Sequence, residues 1–134
     1  PAMAFFHMPP AEFKEAYEKM KLGDHSVIYE HGSIGEKDEY FGISNQPPHF
    51  FEKAVDNGWL KWIFCGHDHL NTLSLTYKGI RMTYGMSIDY LGYSGIAKQY
   101  IQRGATLITR KTNGNMDITM VPLTTVVSTR VRGA

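Results

Sequence analysis

Apolar residues along this chain fall into short compact runs and into two different periods. Two of the runs, Met3–Phe6 and Leu60–Cys65, have the length of a strand and stop at a turn signal, which is typical of buried strands. Each is followed by a histidine: His7 after the first and, beyond Gly66, His67 after the second. We therefore expect both histidines at the ends of buried strands.

Two segments between these strands show a helical period. Apolar residues recur at i, i+3, i+4 and i+7: Phe13, Ala16, Tyr17 and Met20. This spacing predicts an amphipathic helix over Ala11–Lys21, with Gly23 as its C-terminal stop. A shorter helix is predicted over Phe50–Asn57, ended by Gly58.

After the second histidine-bearing strand the period changes to two. Leu73–Tyr77 and Ile80–Tyr84 alternate on either side of a Lys-Gly turn and predict a hairpin. Ala105–Arg110 and Met116–Val121 flank an Asn-Gly turn and predict a second hairpin. The expected fold class is α/β, a mixed sheet with two helices and C-terminal antiparallel hairpins.

Several stretches carry no clear period. Val27–Tyr29 is a short strand or extended chain, and the tail from Pro122 to Ala134 adds an edge strand or frays. Glu30–Pro48 either flanks an active site or is a disordered insertion, because loops of this length are usually functional or mobile. Three further histidines lie in or beside it: His25, His31 and His49. We expect them to face solvent or substrate rather than a metal.

The turn Gly66-His67-Asp68-His69 carries the candidate chemistry. In open α/β sheets the reactive groups lie beyond the carboxyl ends of the strands, where this turn places two imidazoles. Two histidines two residues apart can each aim a nitrogen at a different ion of a metal pair. Phosphatases and nucleases use such pairs, roughly 3.5–4 Å apart, to clamp the attacking and leaving oxygens of an in-line displacement. An ordinary polar turn is the alternative for so short a motif.

Composition limits the class of protein and its partners. The chain has 134 residues, 43% of them hydrophobic, with 14 basic and 13 acidic side chains. We therefore expect one domain with its own core, and neither nucleic acid nor a membrane as a specific partner. No apolar run approaches the roughly 18 residues of a membrane helix. The single cysteine, Cys65, allows no internal disulfide and is expected to be a small buried hydrophobe.

The amino-terminal end defines no compartment. The chain starts Pro1-Ala2-Met3, without an initiator methionine and inside a predicted strand. We infer that the true N-terminus lies elsewhere. Localisation therefore stays unassigned, with secreted and periplasmic compartments open.

With both histidine-bearing strand ends in place, the chain resembles the calcineurin-like metallophosphoesterases, in the branch related to purple acid phosphatases. The matching segments are Ala4–Pro9 and Phe64–Asn71, with weaker matches at Tyr84-Gly85 and Arg103–Ala105. They correspond to the second half of that family's domain. Residues 1–134 are thus interpreted as its C-terminal half, which implies half of a two-sheet α/β sandwich.

The resemblance also implies roles for three histidines. His7 and His67 correspond to ligands of the family's second metal, and His69 to a ligand of its first. Asp68 is not a ligand in the family's motif, and we expect it to stabilise the turn. The two ions in the full-length protein would be divalent or trivalent, and imidazole ligands do not choose among Fe, Zn, Mn, Ni and Co.

The family's Asp-X-His, Gly-Asp-X-X-Asp and Gly-Asn-His motifs do not occur in this chain. The metal ligand set is therefore incomplete, and the catalytic acid stays unassigned. Substrate-binding residues stay unassigned too, because packing is the alternative to phosphate contact for three candidates: Tyr90, Tyr93 and Arg103. A lone half would expose one sheet face, which a second copy or the missing N-terminal half would cover.

The expected function is phosphoric ester hydrolysis at a dinuclear metal site in the full-length protein, with the fragment alone inactive. The alternative is a non-catalytic C-terminal binding module that holds at most one metal. A structural mononuclear zinc site is a third interpretation. It is disfavoured because structural zinc sites are rich in cysteine and this chain has only Cys65.

Overall fold

The computed structural model describes residues 1–44, 49–99 and 101–123. The chain divides into two compact units, Pro1–Gly85 and Met86–Ala134. In the described ranges, no helix has both the length and the apolar character needed to cross a membrane.

The first unit is a five-stranded mixed sheet with two helices among its described residues. Its elements in chain order are β1 (Ala2–Phe5), α1 (Ala11–Lys21), β2 (Val27–His31), α2 (Phe50–Asn57), β3 (Leu60–Cys65), β4 (Ser74–Tyr77) and β5 (Ile80–Tyr84). The strands lie in the order β1-β3-β5-β4-β2. β3 runs parallel to both β1 and β5, whereas β4 is antiparallel to β5 and β2. The predicted α/β class is confirmed.

Both helices have the bounds that the apolar period predicts. Phe13 and Ala16 of α1, and Phe51 and Ala54 of α2, are buried. They pack into one core with inward side chains of the sheet, Met82 among them. Removing one such large apolar side chain from water stabilises the fold by about 1.5–3 kcal/mol. The helical period was therefore a sound guide to the core.

Successive residues of β1 face opposite sides of the sheet. Ala2 and Ala4 pack against the core, whereas Met3 and Phe5 point away from it and are 36% and 63% exposed. Ile28 of β2 is also exposed. Apolar side chains are therefore presented on the sheet face that lies opposite the core.

The hairpin between β4 and β5 turns at Lys78 and Gly79, where φ is +49° and +77°. Two successive positive φ angles are the signature of the tight turn that joins antiparallel strands, and glycine adopts them without strain. The predicted hairpin is confirmed. β4 begins one residue later than predicted, at Ser74.

The second unit contains an antiparallel hairpin of β6 (Gly104–Arg110) and β7 (Met116–Pro122). This hairpin too is as predicted, with each strand one residue longer. Before it, residues 86–99 and 101–103 are irregular except for a 3₁₀ turn at Ile96–Lys98. Of the tail, Pro122 ends β7, and residues 124–134 lie outside the described residues.

Two segments that the sequence left open are now assigned. Val27–Tyr29 is part of a strand, β2, which continues to His31. In the long loop, Lys37–Glu39 forms a 3₁₀ turn, and the rest of residues 32–44 is irregular. Residues 45–48 of the predicted loop lie outside the described residues.

Candidate functional site

The carboxyl ends of β1, β3 and β5 meet at one edge of the sheet. Beyond β1 and β3 the pairing continues, because the N–H of His67 donates to the carbonyl oxygen of His7 at 2.8 Å. Beyond β3 and β5, the N–H of Gly85 donates to the carbonyl oxygen of Cys65 at 2.9 Å. The parallel strands thus deliver His7 and His67 to neighbouring positions at the edge where α/β sheets place their reactive groups.

The imidazoles of His7 and His67 are in contact. His7 Nε2 lies 3.0 Å from His67 Nδ1, and the two rings meet edge to face with their centroids 4.9 Å apart. Without a metal, this distance is that of a hydrogen bond in which either ring can be the donor. His7 is exposed and His67 is half-buried, so the pair is open to solvent.

The nitrogen pair also has the spacing of two ligands of one metal ion. Zinc–nitrogen bonds are about 2.0–2.1 Å long, so two nitrogens about 3 Å apart can bind one ion at an angle of about 90°. Neutral imidazole is a common ligand of zinc, iron, nickel and copper. The donor pair therefore fits a metal ion as one part of a ligand set.

His69 is half-buried and follows the same turn. Within residues 1–44, 49–99 and 101–123, no three His, Cys, Asp or Glu side chains form a group that could hold a metal ion. The structure therefore brings His7 and His67 together but does not gather His69 with them. The assignment of all three as metal ligands remains a prediction.

Cys65 lies on the core side of the sheet, just before the histidine turn. Its side chain is buried among the apolar residues, and its sulfur lies 3.7 Å from the carbonyl oxygen of Thr83. Burial raises the pKa of the Cys65 thiol well above its ordinary value, with the Asp68 charge a smaller cause. The prediction of a small buried hydrophobe is confirmed.

Asp68 lies between the two histidines of the turn and is only 5% exposed. Its carboxylate accepts the backbone N–H of Gly42 with both oxygens, at 3.1 and 3.0 Å. One of these oxygens also accepts the hydroxyl of Tyr84, the last residue of β5. This use of Asp68 agrees with the expected role in stabilising the turn.

Tyr84 is fully buried, with its ring packed against Phe13 and Phe41. Burial raises the pKa of its hydroxyl far above the ordinary value, and the hydrogen bond to Asp68 raises it further. Tyr84 is therefore a neutral donor at any physiological pH. It ties the histidine turn to the end of the neighbouring strand.

Asn71 closes the same segment and is fully buried. Its side-chain oxygen accepts the N–H groups of Gly35 and Glu36, each at 3.0 Å. Its side-chain nitrogen donates to the carbonyl oxygen of Tyr40 at 3.0 Å. The loop of residues 32–44 is thus held against the histidine turn by side-chain hydrogen bonds, which favours the interpretation of a site-flanking loop over a disordered insertion.

Gly42 makes the closest approach between this loop and the site. A Cβ atom built on Gly42 would lie 2.1 Å from Cδ2 and 2.7 Å from Nε2 of His67. The same atom would lie 2.9 Å from Oδ1 of Asp68. Only glycine fits between the loop backbone and the imidazole in this arrangement.

The other histidines lie apart from this pair. His25 is exposed, and His49 is exposed and contacts Glu52 at 2.7 Å. His31 is half-buried at the end of β2, and its Nδ1 lies 3.3 Å from a guanidinium nitrogen of Arg81. Burial lowers the pKa of His31, and the charge of Arg81 lowers it further. Whether any of them faces a substrate stays a prediction.

Arg103 of the second unit is almost fully buried. Its guanidinium donates to the backbone carbonyl oxygens of Asp89, Ile101 and Ile96, at 2.7, 2.6 and 3.1 Å. It also stacks on the ring of Tyr90, 4.8 Å from the centroid. Packing, rather than phosphate contact, therefore explains the position of Arg103 and the face of the Tyr90 ring that Arg103 covers.

Sequence reasoning gave no role to Gly42 or Asn71, and it noted Tyr84 only as a weak match. Gly42 lies in a loop without a period, so no sequence signal indicated that it touches His67. Tyr84 and Asn71 had a signal, since both lie at the ends of segments that adjoin the histidine turn. The positions of Tyr84 and Asn71 in the sequence could have identified both residues as candidates to support the histidine turn.

Comparisons with known proteins place the chain near one group. It is 28% identical over 93 residues to the Arabidopsis thaliana protein named "Probable inactive purple acid phosphatase 29", which covers 69% of this chain and 21% of that protein. It is 31% identical over 93 residues to "Probable inactive purple acid phosphatase 28", covering 69% of this chain and 20% of that protein. A 47-residue match to "Probable inactive purple acid phosphatase 14" has 38% identity and covers 35% of this chain and 12% of that protein.

The chain therefore spans about a fifth of the length of the two plant relatives that match it over 93 residues. No protein-family model matches the chain. No solved structure matches it with significance either.

Proposed function

The chain is related to the purple acid phosphatases, and from that premise we propose that the protein containing it hydrolyses phosphoric esters at a pair of metal ions. In this proposal the chain supplies His7, His67 and His69 as metal ligands. The observation that carries it is the 3.0 Å contact between imidazole nitrogens at the carboxyl ends of adjacent parallel strands.

The placement of His7 and His67 on one ion is supported by how the structure groups them. His7 and His67 lie together, as two ligands of one ion must, and among the described residues no three His, Cys, Asp or Glu side chains form a group that could hold a metal ion. Following the family resemblance, the proposal places His7 and His67 on the second metal and His69 on the first. Imidazole nitrogen suits iron, zinc, manganese, nickel and cobalt alike, so the donors do not select the metal.

The metal pair, when bound, supplies a nucleophile at neutral pH and neutralises charge on the phosphoryl oxygens. The residues of this chain hold the ions at the sheet edge and keep the histidine turn in place. The carboxylate ligands and the catalytic acid would come from the rest of the protein, since their motifs do not occur in this chain. A substrate class beyond phosphoester is not part of the proposal, because a fold does not define its substrate.

Hydrolysis of an aryl phosphate by the full-length protein tests this proposal. We expect activity in the wild type and a loss of at least about a hundredfold in His67→Ala, since a ligand of the reacting metal is removed. His25→Ala is the matched control, because His25 is exposed and lies outside the site. Full activity of a folded His67→Ala protein would contradict the proposal.

A non-catalytic module that holds at most one metal is the second candidate. It is favoured by the absence of a three-residue metal group among the described residues and by the word "inactive" in the printed names of all three relatives. In that case the full-length protein would hydrolyse no aryl phosphate at any metal concentration. Metal analysis would find at most one ion per chain.

We further propose that the second face of the sheet is covered by the remainder of the phosphoesterase domain or by a second copy of the chain. The exposed side chains Met3 and Phe5 of β1 support this, because neighbouring exposed apolar side chains can mark a contact surface. Sedimentation of the chain at several concentrations tests the second copy. A monodisperse, stable monomer would count against any need for a cover.

A further inference from the structure

We propose that Asp68 is a positioning residue for His67. Its buried carboxylate holds the backbone of Gly42 against the imidazole of His67 and so keeps that ring in contact with His7. The effect of Asp68 on metal affinity rests on the proposed function. The effect of Asp68 on the placement of the His67 ring is independent of the proposed function.

The carboxylate of Asp68 has three hydrogen bonds in a site that is nearly closed to water. Both oxygens accept the N–H of Gly42, and Tyr84 donates its hydroxyl to one of them. Hydrogen bonds to an ionised acceptor are shorter and roughly twice as strong as neutral ones. The N–H of Gly42 is therefore fixed by the carboxylate of Asp68.

The second step is the contact between Gly42 and the ring. A Cβ on Gly42 would approach Cδ2 and Nε2 of His67 to 2.1 and 2.7 Å, well inside any tolerated separation. Glycine thus lets the loop backbone lie directly against one edge of the imidazole. Gly42 both donates its N–H to Asp68 and contacts the imidazole of His67. The position of the loop therefore determines how much space the His67 ring has.

The third step concerns the opposite edge of the same ring. His67 Nδ1 faces His7 Nε2 at 3.0 Å, while Cδ2 and Nε2 face Gly42. The imidazole is thus held between His7 and Gly42. If the loop moved away, the ring could rotate freely about its side-chain torsions, and if the loop carried a side chain, the ring would have to move. In either case the spacing of the two nitrogens would change.

Three variants of the full chain separate positioning from a merely structural role. Gly42→Ala keeps the carboxylate but puts a methyl group where the ring lies. Asp68→Asn keeps the size of the side chain but replaces one acceptor oxygen by a donor. Tyr84→Phe removes only the hydroxyl. Asp56→Asn is the matched control, because Asp56 is an exposed carboxylate on α2, outside the site.

The first readout is NMR of the histidine side chains in the metal-free chain. We expect His67 to show one set of imidazole signals in the wild type and the control, with cross-relaxation to the His7 ring. In Gly42→Ala and Asp68→Asn these signals shift or broaden and the contact to His7 is lost. In Tyr84→Phe the change is smaller. His25 and His49 signals stay unchanged in all variants.

The second readout is the affinity for Zn²⁺ by titration calorimetry. Removing outer groups that orient metal ligands typically weakens metal binding by about 10–100-fold. We expect a loss of that order in Gly42→Ala and Asp68→Asn, a loss of about threefold in Tyr84→Phe, and none in the control. Circular dichroism verifies that each variant is folded.

The outcomes decide the two proposals separately. A wild-type chain that binds no Zn²⁺ at this site would overturn its metal role, while the NMR of the metal-free chain still decides whether Asp68 and Gly42 position His67. Unchanged His67 signals in folded Gly42→Ala and Tyr84→Phe would overturn the positioning role. If Asp68→Asn fails to fold, these two variants carry the decision.

Discussion

Each of the two compact units holds an irregular loop with buried polar side chains, but the backbone groups that these side chains mainly bind differ between the units. In the first unit, Asp68 and Asn71 accept backbone N–H groups from the loop of residues 32–44. In the second unit, Arg103 donates to the carbonyl oxygens of three residues between 89 and 101. In the first unit the side chains mainly accept N–H groups of the loop, with one bond donated by Asn71 to Tyr40, whereas in the second unit Arg103 only donates.

The difference shows how to read a charged residue near a motif. Each nitrogen of the Arg103 guanidinium donates to a carbonyl oxygen of its own loop, so this group is used in packing. The carboxylate of Asp68 is used on a loop too, but that loop carries Gly42 against a candidate ligand, His67. Both residues lie in segments that match the family, so their places in the sequence do not separate them. What their partners touch decides which of them can serve a site.

The largest expected effect on stability comes from removing the guanidinium group of Arg103. Arg103→Met leaves three carbonyl oxygens without their partner, and each unsatisfied buried group costs about 1–3 kcal/mol. We expect the second unit to lose at least about 3 kcal/mol of unfolding free energy in urea. Arg110→Met, at an exposed position of β6, is the control and should change little. Equal stability of the two variants would show that Arg103 does not hold its loop.

Removing the side-chain amide of Asn71 should have a somewhat smaller effect on stability. Asn71→Ala deletes three hydrogen bonds between the side chain and the loop, so we expect a loss of about 2–3 kcal/mol. Amide hydrogen exchange of residues 33–40 should become faster, because the loop loses its anchor. The exposed Asn57→Ala serves as the control. Unchanged exchange in the loop would contradict the proposed anchor.

The hydroxyl of Tyr84 allows the hydrogen bonds of the buried Asp68 carboxylate to be tested singly. Tyr84→Phe leaves the aromatic packing intact and removes one donor from a buried carboxylate, which should cost about 1–2 kcal/mol. Tyr77→Phe also removes a hydroxyl bonded to a carboxylate, that of Glu15, but this partner is exposed, so we expect at most about 1 kcal/mol. Urea midpoints of the two variants measure the difference. A larger loss in Tyr77→Phe would reverse the order of the two sites.

The smallest effect is a dependence on pH. Burial holds the pKa of His31 below its ordinary value, so the unfolded chain binds this proton more readily than the folded chain. The contribution of His31 to the stability of the fold is fully present above about pH 6.5. As the pH falls from there through the pKa of folded His31, the unfolded chain takes up the proton first and this contribution is lost. The melting temperature should therefore drop less between pH 7.5 and 5 in His31→Gln than in the wild type. His25→Gln should keep the wild-type drop.

Much of the fold followed from periods in the sequence. Both helices had an apolar stripe and a glycine at the end, and both hairpins had alternation around a Gly-containing turn, so local rules decided them. The extent of β2 did not follow, because Ile28, Tyr29 and Glu30 are exposed and give no alternation. Its place at the edge of the sheet is determined by pairing with β4, which is a tertiary contact.

The site was predictable only in part, for a similar reason. The strand ends placed His7 and His67 at one edge, and parallel pairing of β1 with β3 makes them neighbours. The contact of Gly42 with His67 joins residues 25 positions apart through an irregular loop, and the sequence has no pattern for such a contact. Likewise, nothing in the sequence showed that Arg103 is enclosed by its own loop.

The most direct test of the account is titration of Zn²⁺ into the wild-type chain and into His7→Ala and His67→Ala, with His25→Ala as the control. The account predicts that each of the two site variants weakens binding by at least about tenfold, while the control binds like the wild type. Equal affinity in all four proteins would contradict it, because the paired histidines at the sheet edge would then hold no metal.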